Sequence, residues 1–131
     1  MTRHVDWRTR LTDYLASVAR KPFEEGRRDC ALFTGGGIEA MTGIDPFAEV
    51  RGRYTTTRGG LRIMRRMGFA DHVAFLASLY PATDTPRAGD IAVFDTDDGP
   101  AVGLFQGQGI YAVTPHGVGI VSAPASKFLR V

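Results

Sequence analysis

Apolar residues recur at Trp7, Leu11, Tyr14, Leu15 and Val18, after Asp6 and before Lys21-Pro22. That spacing predicts an amphipathic first helix with Asp6 as its N-cap and the proline as its stop. A second helix is predicted from Asp29-Cys30 through Ala31, Leu32, Phe33, Ile38, Ala40 and Met41 to Gly43. Gly35-Gly36-Gly37 lies inside it, and each glycine costs a helix about 1 kcal/mol. The segment therefore needs a packing reason, a close approach that side chains would block. Leu61 to Met67 and Asp71 to Tyr80 read as two further short helices, closed by Gly68 and Pro81.

Beyond Pro81 the pattern changes. Short apolar runs at Ile91–Phe94, Ala101–Phe105, Ile110–Val113, Val118–Val121 and Phe128–Val131 are separated by Gly, Pro and Asp turn signals. They predict successive antiparallel strands. Helices first and strands afterwards is an α+β order, with the helices of about 1–80 packed on a small sheet or half-barrel of about five strands in 88–131. At 131 residues, one domain is expected over 1–131.

Charge narrows the classes. Residues 1–80 carry 13 Lys/Arg against 9 Asp/Glu, and residues 81–131 carry 3 against 5. The basic pairs Arg27-Arg28 and Arg65-Arg66 are scattered without interleaved aromatics, so a solvated arginine-rich face is expected and no nucleic-acid partner. No apolar run is long enough to span a bilayer, and Met1 to Arg10 is too charged for a signal peptide. Cys30 is the single cysteine, which excludes an internal disulfide and a multi-cysteine metal site. Asp95, Asp97 and Asp98 read as an exposed hairpin turn before Gly99-Pro100, not a cation site. The glycine run lacks the Lys-Ser/Thr of a phosphate loop. No metal and no cofactor are expected.

Three segments carry a resemblance. Asp29-Cys30-Ala31-Leu32-Phe33, Arg87-Ala88-Gly89-Asp90-Ile91-Ala92-Val93-Phe94 and Ala101-Val102-Gly103-Leu104-Phe105-Gln106-Gly107 resemble the nucleophile helix, the Gly-Asp strand and the His-Val-Gly strand of NlpC-type papain-like cysteine peptidases. Trp7, Gly52-Arg53-Tyr54 and the ending Phe128-Leu129-Arg130-Val131 are similar to small phage relatives of that scaffold. The resemblance implies a papain-like fold. It also implies a tail-tip place in a phage or gene-transfer-agent particle, with other tail-tip or hub proteins and peptidoglycan as partners. Such a virion component is expected to be made in the host cytoplasm without a signal peptide.

The chemistry of such a site sets a requirement. A thiol near its ordinary pKa is mostly protonated at neutral pH, so it needs a helix N-terminus and a base to become a nucleophile. In the family's register the base position is Ala101, and the residue that would orient the base falls near Ala112. Neither transfers a proton. His116, in the turn Thr114-Pro115-His116-Gly117, is the nearest substitute and reaches Cys30 if the strand register slips or that turn folds back. His4 and His72 read as surface residues. Asp29 reads as an N-cap, and Arg51, Arg53 and Tyr54 as an ordinary loop. The expectation is a catalytically degenerate scaffold acting as a structural or adaptor subunit. The alternative is an active peptidase of peptidoglycan stems, with Cys30 as nucleophile and His116 as base.

Overall fold

A computed structural model describes residues 2–131. Helices α1 (Trp7–Val18), α2 (Cys30–Thr42), α3 (Thr57–Arg66) and α4 (His72–Leu79) precede strands β1 (Ile91–Thr96), β2 (Gly99–Phe105), β3 (Ile110–Thr114), β4 (Gly117–Val121) and β5 (Lys127–Leu129). The strands form one antiparallel sheet in the order β4-β3-β2-β1-β5, so the chain meanders through four strands and returns to the free edge of β1. This is the α+β arrangement that the sequence pattern predicts.

Each helix has a local cause. Asp29, Thr56 and Asp71 accept hydrogen bonds from Leu32 N at 2.9 Å, Gly59 N at 3.0 Å and Ala74 N at 2.9 Å, capping α2, α3 and α4. Asp6 departs from its predicted role. It makes no cap bond and instead accepts from Arg10 Nε at 2.7 Å. The third helix starts a turn earlier than its apolar spacing predicts, because the Thr56 cap carries it across Gly59-Gly60.

The glycines of α2 do have a packing reason. A Cβ on Gly36 would lie 2.4 Å from the Tyr14 hydroxyl oxygen, and one on Gly37 2.4 Å from Leu104 Cδ1. Side chains of α1 and β2 fill the space that the missing side chains leave. α2 is thereby wedged between α1 and the sheet, with Leu32, Ile38 and Met41 fully buried.

The main core lies between the helices and one sheet face, where Ile91, Val93, Val102 and Leu104 meet Ile38, Met41, Phe75 and Leu76. The alternate residues point the other way. Ala92, Phe94, Ile110 and Ala112 form a second cluster with Ala101, Phe105 and Phe128. Asp90, wholly buried at the entrance to β1, accepts from Arg3 Nη2 at 2.9 Å, Val131 N at 3.0 Å and Arg87 N at 2.9 Å. That carboxylate binds both ends of the described chain to the sheet.

Candidate functional site

Cys30 and His72 are each the first residue of a helix, and each follows an aspartate that caps it. The two helix starts converge. Cys30 Sγ lies 3.9 Å from His72 Nε2, a contact between residues 42 apart in sequence. Both side chains are half-buried. The expectation that no proton acceptor stands beside the sulfur, with His72 on the surface, is therefore corrected: α4 supplies an imidazole.

The other histidine placements follow from the strands. His116 sits exposed in the β3–β4 turn, where its amide donates to Thr114 Oγ1 at 3.1 Å. The next residue, Gly117, packs against the backbone of Ala19 and Arg20 at the end of α1. The turn docks on the end of α1, and the imidazole beside the Cys30 sulfur is that of His72 and not of His116. Ala101 belongs to the sheet face turned away from α2. His4 lies against Gly43, at the far end of α2 from the thiol.

The loops that feed α2 hold the backbone of Cys30 firmly. Asp29 is buried and, besides its cap bond, accepts from Gly26 N at 3.0 Å and from the Tyr54 hydroxyl. Glu25 stands alongside and accepts from the Thr57 hydroxyl at the start of α3. Tyr54 thus belongs to the support of the site and not to an ordinary loop. Its phenol is pushed above its usual range, by burial first and then by the bond to Asp29. Burial also raises the Glu25 carboxyl, although the Thr57 bond acts against it.

Electrostatics set the resting state of the pair. Burial of the sulfur pushes Cys30 up to about 11, against the backbone amides of Val102 and Ala31 that favour the thiolate. The carboxylates of Asp29 and Glu25 add to the rise. Burial lowers His72, while Asp71 and Asp29 act in the other direction. At neutral pH the pair is a neutral thiol facing a neutral imidazole. Such a pair can pass a proton from sulfur to Nε2 as the sulfur attacks, instead of storing a thiolate in advance.

The amide of Val102 is available for a reason visible in the sheet. The β2–β3 ladder covers only Leu104 and Phe105, so the earlier part of β2 has β1 on one side and the start of α2 on the other. A Cβ on Gly103 would sit 2.4 Å from the Tyr111 carbonyl oxygen, which explains the glycine after Val102.

Asp95, Asp97 and Asp98 are exposed around the β1–β2 turn, and no group of three His, Cys, Asp or Glu among the described residues could hold a metal ion. Arg51 bonds to Asp45 at 2.9 Å and to the Leu32 carbonyl at 3.1 Å. No helix among the described residues is long and apolar enough to cross a membrane.

Fold and site together define an α+β domain with a thiol–imidazole pair at two converging helix starts. The chain belongs to the family described as Domain of unknown function (DUF6950), whose profile matches residues 2–131. No curated protein matches it.

Proposed function

We propose that the chain is a papain-like cysteine hydrolase of the NlpC type that cuts peptide stems of peptidoglycan, as a tail-tip component of a phage or gene-transfer-agent-type particle. The observation that carries the chemistry is the 3.9 Å approach of Cys30 Sγ to His72 Nε2 at the N-terminus of α2. The substrate and the particle follow from the sequence resemblance at Asp29–Phe33, Arg87–Phe94 and Ala101–Gly107. Cys30 Sγ bonds to the carbonyl carbon of the scissile amide while its proton passes to His72 Nε2. The imidazolium returns that proton to the leaving amine. Water, its proton taken by His72, then hydrolyses the thioester and restores the thiol.

Digestion of purified muropeptides tests this. Wild type and His116→Ala release cleaved stems, Cys30→Ala releases none, and His72→Ala is slower by a factor of about 100 or more. Intact stems after prolonged incubation with wild type would sink the hydrolase.

A second reading, a catalytically degenerate adaptor subunit bound to tail-tip or hub proteins, is favoured by a different observation. A groove of about 650 Å³ is lined by Tyr14, Asp13, Glu39, Arg51 and Val118 among others, and neither Cys30 nor His72 belongs to its lining. On that reading, particles carrying Cys30→Ala assemble and infect as wild type does.

A further inference from the structure

Thr34 is fully buried on α2, and its hydroxyl oxygen has no hydrogen-bond partner, a state that other buried side-chain polar atoms of the described residues avoid. A buried hydroxyl without a partner is costly, so its persistence calls for a cause. Thr34 lies four residues after Cys30, one helical turn along the same face, with Cβ atoms about 5–6 Å apart at that spacing. Helical side chains lean toward the N-terminus, which tilts Thr34 toward the sulfur's turn. Its neighbours fix the direction of that face. Gly37 meets Leu104 of β2, and Gly35 meets Phe47, which packs on Phe75 of α4. Thr34 falls between these two bearings, in the wedge between β2 and α4 where Cys30 meets His72.

We propose that Thr34 is a positioning residue of the Cys30–His72 pair: its hydroxyl donates to Cys30 Sγ when the thiol proton moves to His72 Nε2. This rests on the reading of the two residues as nucleophile and base. The hydroxyl breaks no existing bond to make the new one, and the sulfur, a weak acceptor as a thiol, becomes a strong one once it is negative. The amides of Val102 and Ala31 already aim at that sulfur, and Asp29 and Glu25 oppose its charge. Tyr54 and Asp71 complete the ionisable groups that face the pair. A third donor shifts this balance toward the thiolate without adding a charge.

The test is the pH dependence of Cys30 alkylation by iodoacetamide in the intact chain, measured for wild type, Thr34→Val and Thr34→Ser. Valine keeps the volume and loses the donor, whereas serine keeps the donor. The expected result is a midpoint about one pH unit higher for Thr34→Val, about a tenfold slower reaction at any pH below it, and a wild-type profile for Thr34→Ser. Superimposable profiles for wild type and Thr34→Val would overturn the proposal, and a valine form that is merely more stable would assign the hydroxyl to packing alone. If Thr34→Val does not fold, Thr34→Ala carries the same comparison. Alkylation reads the sulfur without any substrate, so a shifted profile in a protein that leaves muropeptides intact rejects the hydrolase and keeps the positioning role.

Discussion

At the scale of single residues, the site turns on what burial does to two opposite titrations. Cys30 is raised in the fold, so its contribution to stability is complete below the unfolded thiol value near 9 and is lost as pH climbs through about 11. Two units correspond to about 3 kcal/mol. Chemical denaturation at pH 8 and pH 11, where the folded thiol is half titrated, is expected to show a loss for wild type that is smaller by about 2 kcal/mol in Cys30→Ala. His72 is lowered in the fold, so its contribution is present above the unfolded value near 6.5 and is lost as pH falls toward the lower folded value. Melting of wild type between pH 7 and pH 5 should therefore decline more steeply than that of His72→Gln. His72 was legible in the sequence through one signal only. Asp71-His72 repeats the form of Asp29-Cys30, a capping aspartate followed by an ionisable side chain, but no spacing connects residues that far apart. Ala101 was misleading for a related reason: register on a strand says which residue is present, and the pleat decides which face it serves.

At the scale of elements, the helix-then-strand order was legible because both periodicities are strong, and the strand positions agree to within a residue or two. The start of α3 and the cap of α1 were not legible, since both depend on which polar side chain wins a backbone amide. The α2 glycines show how tertiary packing overrides propensity. Replacing a helix glycine by alanine ordinarily stabilises by about 1 kcal/mol. Here Gly37→Ala would drive a methyl into Leu104, so a net destabilisation of about 1–3 kcal/mol is expected in urea titration. The Gly103→Ala change should be worse tolerated, because its obstacle is the Tyr111 carbonyl, backbone that cannot swing aside.

At the scale of the whole molecule, the buried Asp90 anchor joins segments that are far apart along the chain. Its partner Arg3 is almost as buried, with 4% of its side chain exposed, and also donates to the carbonyl of Ala88 at 2.7 Å. Asp90→Ala would leave that guanidinium enclosed without its counter-charge, and equilibrium unfolding should register a loss of about 3–5 kcal/mol. The Gly-Asp segment in the sequence pointed to a strand entrance, and the reason for its aspartate appears only when residues 3 and 131 come together. That meeting has a practical corollary. Since Arg3 Nε also donates to the Val131 carbonyl at 3.1 Å, a brief glycine-serine tether could splice the two ends. New termini could then be opened at the exposed Asp97-Asp98 tip, yielding a permuted polypeptide with the thiol and imidazole still face to face.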